Sequence, residues 1–182
     1  MARVVSLHLY MRWQRLLRQA EAELGDGLFP YRNFSAGGAW MAEQLYQRAG
    51  QSLPSENLPD YHTAGIIKYG LASLAGIMTI PVIALVGPLA IPLSILVFYC
   101  VEVHLLFLFP LLAEGDETPY HTSVRLCRRI GVLHCVLTII PVAIWMLTGL
   151  LNIKKPYRSW HIGCLAVIIW YLDFRKTTGY EI

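Results

Sequence analysis

Between Tyr69 and Ala113 the chain runs for 45 residues with one charged side chain, Glu102, and one other strongly polar one, His104. A helix needs about 20 apolar residues to cross the hydrocarbon of a bilayer, so this run suffices for two crossings. Gly87, Pro88 and Pro92 interrupt it near the middle, where a tight turn between two helices belongs. Folded in water, the same residues would leave a large apolar surface exposed. The rest of the chain agrees. Of its 182 residues, 55% are hydrophobic and 15% charged, and the mean hydropathy is +0.48. The sequence therefore predicts an all-α integral membrane protein.

Four spans are expected, over residues 65–86, 89–113, 130–151 and 157–174. The last is short. Its unbroken apolar core, Trp160 to Leu172, has 13 residues. Such a helix covers about 20 Å of a hydrocarbon layer about 30 Å thick. Extending it to 157–174 lets Arg158 and Arg175 reach outward at its two ends. Trp160, Trp170 and Tyr171 then suit the membrane interfaces. A re-entrant or interfacial helix is the alternative.

An internal repeat points to two related hairpins. Tyr61-His62-Thr63 precedes Thr79-Ile80-Pro81-Val82, and Tyr120-His121-Thr122 precedes Thr138-Ile139-Ile140-Pro141-Val142. From tyrosine to proline is 20 residues in one copy and 21 in the other. The expected fold is thus a four-transmembrane-helix bundle made of two repeated helical hairpins in residues 61–182. Pro81 and Pro141 should kink the first and third spans, because proline removes a backbone donor. Thr63 and Thr122 are candidate N-caps.

Residues 1–60 form a separate N-terminal segment on this reading. Leu9, Trp13, Leu16, Leu17, Ala20 and Leu24 recur at helical spacing, with Arg12, Arg15 and Arg18 on other faces. That pattern predicts an amphipathic helix over residues 1–25, lying in the headgroup region or docked on a protein neighbour. Arginines interrupt the stretch where a signal peptide would need an apolar core. A loop-rich segment follows, with a short helix over 39–49 and a linker marked by Pro54 and Pro59.

Charge sets the expected orientation. With four spans, Lys68, Arg125, Arg128, Arg129, Arg175 and Lys176 fall near span ends on one side, and Lys154, Lys155 and Arg158 on the other. The richer side, with both termini, is predicted to be cytoplasmic. A net charge of +3, placed at span edges, suits lipid better than nucleic acid.

Few residues suggest chemistry. His104 and His134 lie within spans and could ligate a haem or pigment metal, or simply hydrogen-bond between helices. Glu102 is the one acidic residue deep in a span, and His134 is a candidate partner for it. His62 and His121 share a membrane boundary if the repeat holds, near Glu114, Asp116 and Glu117. Arg125, Arg128 and Arg129 suit lipid headgroups. Cys100, Cys127, Cys135 and Cys164 include no CxxC pair and read as structural thiols. No HExxH or GxSxG motif is present, so no catalytic residue and no metal set is assigned. The leading expectation is a non-catalytic membrane subunit or scaffold, with the bilayer and other membrane subunits as partners. The alternatives are a haem- or pigment-binding redox subunit and an interfacial enzyme acting on lipids or isoprenoids.

Overall fold

The computed structural model describes residues 2–24, 33–53, 59–149, 151 and 157–178, with side chains from residue 12 onward. Among the described residues every regular element is helical. The order is α1 (Ala2–Glu23), α2 (Phe34–Ala49), α3 (Tyr61–Ile77), α4 (Ile80–Val86), α5 (Ile91–Glu102), α6 (Leu108–Ala113), α7 (Pro119–Ile130), α8 (Val132–Gly149) and α9 (Arg158–Thr178). Single 3-10 turns stand at Pro88–Ala90 and Val103–Leu105. Three helical stretches are long and apolar enough to cross a membrane: Tyr61–Val86, Pro88–Ala113 and Val132–Gly149. The fourth expected span, α9, is not among them. Every 18-residue window within it takes in three charged residues from the set Arg158, Asp173, Arg175 and Lys176.

Stretches α3–α4 and α5–α6 form a hairpin that turns at Gly87. There φ is +89° and ψ −174°, a region open in practice only to glycine. Proline explains the interruptions in both arms. Pro81 removes the donor that Ile77 would have met, and the helix breaks at Met78 and Thr79. The Thr79 hydroxyl fills in, donating to the Gly76 carbonyl at 2.6 Å and pairing with the Ser94 hydroxyl across the hairpin. In the returning arm Pro110 likewise follows a break, at residues 103–107. Here Ser123 of α7 makes the repair. Its hydroxyl donates to the His104 carbonyl at 2.9 Å and accepts the Phe107 N–H at 3.3 Å.

The remaining helices pack around α9. Ile162, Leu165, Ala166, Ile168, Trp170 and Tyr171 are buried between α1, α2 and α8. The apolar stripe of α1 is spent here rather than on lipid. Leu16, Leu17 and Ala20 are buried, with Trp13 and Leu24 packed beside them. Leu9 lies outside the described side chains. The stripe's neighbours are α8 and α9 of the same chain. Against α9, α8 packs closely through small residues: a Cβ on Gly149 would overlap Ser159, and one on Gly163 would overlap Met146.

Other expectations need correction. Between the second and third expected spans stands a further helix, α7, which buries Thr122, Ser123, Leu126 and Cys127. The two sequence repeats follow different helix plans. The first runs unbroken from Tyr61 to its break just before Pro81, whereas the second breaks at Gly131 (φ +103°) and runs through Pro141 without interruption. Asp60, not Thr63, caps α3, accepting the Thr63 N–H at 3.0 Å. Thr122 sits a turn inside α7. Nor is Lys68 an interfacial cation. It is buried.

Candidate functional site

A buried ion pair joins the two arms of the hairpin. Lys68 Nζ lies 2.8 Å from Glu102 Oε1, with side chains only 5% and 8% exposed. The pair clasps the two arms together, since α3 and α5 pack along each other. The ammonium also faces two aromatic rings, 5.3 Å from the Tyr69 centroid and 5.7 Å from that of Phe109. The second carboxylate oxygen, Oε2, is buried and has no hydrogen-bond partner. Glu102 therefore pairs with Lys68, not with His134 as its position on consecutive spans suggested. At low dielectric a free charge at either position would be costly, and each residue makes the other tolerable.

Next to this pair lies a cavity of about 560 Å³. Its wall comes from four helices: Phe34, Gly38 and Met41 of α2, His62 and Tyr69 of α3, Phe109 of α6, and Trp160 and Cys164 of α9. Phe34 stacks on Tyr69 with centroids 5.4 Å apart. Two glycines let α2 and α3 close on each other. A Cβ on Gly38 would overlap the Tyr61 ring, and one on Gly65 would overlap Phe34. Exposure is graded along the cavity. Asn33, Phe34 and His62 are exposed at its mouth, whereas Gly38 and Phe109 are buried at its floor. Tyr69 and Phe109 both line the cavity and flank Lys68, so one wall separates cavity from ion pair.

The two histidines singled out in the spans have other engagements. His134 Nε2 is 3.1 Å from Arg12 Nη1. Arginine can only donate, so His134 accepts there and carries its proton on Nδ1. Trp170 stands edge-on to the same imidazole at 6.1 Å. His104 Nδ1 donates to the Cys100 carbonyl at 2.6 Å, one turn back on its own helix. A haem iron or pigment metal at His134 would have to displace Arg12 from the nitrogen it needs. Among the described residues no three His, Cys, Asp or Glu side chains are placed to hold a metal ion.

Arg125, Arg128 and Arg129 are all exposed on one face of α7, spaced i, i+3, i+4 near its C-terminus. The helix dipole favours cations there, and the shared face suits anionic headgroups. His62 stands at the cavity mouth, but His121 is exposed on α7 and does not line it. Cys127 and Cys135 are buried, Cys100 and Cys164 half-buried, and all four are free thiols. Glu114, expected near a boundary site, accepts from the Tyr171 hydroxyl at 2.6 Å and pairs with Arg175, tying the end of α6 to α9. The cavity and the Lys68–Glu102 pairing were not foreseen. Only the presence of one cation and one anion on opposite sides of Gly87 hinted at the pairing.

No protein-family model, curated protein or solved structure matches this chain.

Proposed function

We propose that the chain is a non-catalytic, multi-pass membrane subunit held within a larger membrane assembly. On this reading it crosses four times, through α3–α4, α5–α6, α8 and α9. Support for the fourth crossing comes from the close pairing of α8 with α9. If one crosses, the other accompanies it, and residues 161–172 of α9 carry no Asp, Glu, Lys or Arg. Both termini then share the side holding Arg125, Arg128, Arg129, Arg175 and Lys176. Removing the buried Lys68 from the tally still leaves that side richer in cations, which favours its being cytoplasmic.

One observation carries the assembly reading: the outer face of α1. This helix meets α9 toward both ends of α9, through Arg15–Asp173 at 3.2 Å and Glu21–Arg158 at 3.9 Å. Its Arg15, Arg18, Gln19, Glu21 and Glu23 all point outward. Beside membrane-crossing helices, such a face is expensive against lipid and needs protein or water as its neighbour. The polar side chains inside the chain meanwhile serve to join its own helices, as Lys68–Glu102, Arg12–His134 and Glu114–Tyr171 do.

Placing a photocrosslinking amino acid at Arg18 in native membranes tests this. The expected result is a discrete protein adduct that survives denaturing gels, with no such adduct from the same probe at Leu74. Crosslinks to lipid alone at Arg18 would sink the reading.

A further inference from the structure

We infer that the cavity between α2, α3, α6 and α9 is a binding site for a single-chain fatty acid drawn from the membrane. This goes beyond the subunit reading and stands whether or not α1 meets a partner. A volume of about 560 Å³ falls in the range, roughly 300–1,000 Å³, in which proteins enclose small molecules. It is room enough for one acyl chain. The floor is apolar and aromatic, formed by Met41, Tyr69, Phe109 and Cys164. Lys68 offers no charge to a ligand, because Glu102 already neutralises it behind the wall.

The mouth differs from the floor and fixes the direction of entry. Asn33 and His62 stand there exposed. The Asn33 carbonyl oxygen is already used, accepting the Ala36 N–H at 2.9 Å, so its amide N–H groups are the ones left to offer. Asn33 also caps α2, whose positive dipole end therefore faces the same opening. A carboxylate head is the group these features recognise together. The reservoir is adjacent, since the outward apolar face of α3 begins at Ile66 and Ile67, one turn beyond His62. The head thus sits at Asn33 and His62, and the chain runs inward between Phe34, Met41 and Trp160 toward Tyr69 and Cys164.

The test uses the full chain in lipid nanodiscs with a diazirine-bearing palmitic acid. Photoadducts are expected on the peptides containing Met41, Tyr69 or Cys164. Excess unlabelled palmitic acid should suppress them at least tenfold, while added phospholipid should not. Filling the cavity with Met41→Trp and Cys164→Phe should lower labelling to a similar extent, whereas Leu74→Trp on the outer face should leave it unchanged. A second readout needs no variant. Alkylation of Cys164 by N-ethylmaleimide should slow severalfold when palmitic acid is added, with the rate at Cys100 unaffected. Adducts confined to outward residues such as Ile66 and Leu74, competition by phospholipid as strong as by palmitic acid, or an unchanged Cys164 rate would each overturn the proposal.

Discussion

The hairpin arms α3–α5 and the bundle around α9 draw on the same apolar residues and dispose of them in opposite ways. Along Tyr61–Val86 only 11% of the most apolar stretch is buried. Leu74 is 57% exposed, Leu85 87%, and Leu89 beyond the turn 90%. Between Ala64 and Glu102 what the hairpin buries is small or polar: Ala64, Gly65, Lys68, Ala72, Thr79, Ala90 and Glu102. Around α9 the arrangement reverses. Leu165, Ile168, Trp170 and Tyr171 are buried, and Arg15, Arg18, Glu21 and Glu23 of α1 and the three arginines of α7 are exposed. The bundle is therefore packed through large side chains and the hairpin through small and polar ones. Between apolar helices surrounded by lipid the hydrophobic driving force is absent, so close packing and polar links must serve. Lys68–Glu102 and Thr79–Ser94 are links of that kind.

That contrast can be broken at several points. The largest effect is expected from Glu102→Leu or Lys68→Met alone, each leaving a buried charge unpaired at a cost of about 3–5 kcal/mol. The double variant Lys68→Met/Glu102→Leu should recover most of the loss, and thermal unfolding in micelles reads both. Singles as stable as the double would show that the charges are not coupled. Next, Leu165→Ala should cost about 2–5 kcal/mol by opening a cavity in the bundle, measured in the same way. Thr79→Val should cost less, about 0.6 kcal/mol, the average for hydrogen bonds between membrane helices. Leu74→Ala, on the hairpin's outer face, should stay within about 0.5 kcal/mol. If Leu74→Ala matched Leu165→Ala, the hairpin would be packed against protein and the comparison would fail. Smallest is a pH effect at Asp60, whose carboxyl is held below its ordinary value by hydrogen bonds from Thr63. That contribution is present above the unfolded carboxylate range and is lost as pH falls through the lowered value. The protection of amides in the first turn of α3 against exchange, relative to the unfolded chain at the same pH, should fall there in wild type but not in Asp60→Ala.

The hairpin was readable from sequence because one long apolar run, charged only at Glu102, and one glycine turn define it. The helix α1 was readable for a similar reason: Leu16, Leu17 and Ala20 repeat at the helical period, though nothing in that stripe says what it packs on. Helix α7 escaped because its buried face is Thr122, Ser123, Leu126 and Cys127, too polar to stand out beside three arginines. The Gly131 break escaped because a glycine before an apolar run does not announce its φ. Pro81 and Pro141 look equivalent in sequence, yet only Pro81 coincides with a break. The cavity was out of reach, since it needs four helices, and its shape depends on Gly38 and Gly65 meeting Tyr61 and Phe34.

The central claim is that lipid, not water or the chain's own core, is the neighbour of the hairpin's outer face. Spin labels at Leu74, Leu85 and Arg18 in reconstituted bilayers address it directly, through collision with oxygen, which concentrates in hydrocarbon, and with a water-soluble nickel chelate, which does not enter it. The account predicts oxygen access and nickel exclusion at Leu74, a label nearer the far interface at Leu85, and no lipid-like signature at Arg18. Strong nickel access at Leu74 would contradict it.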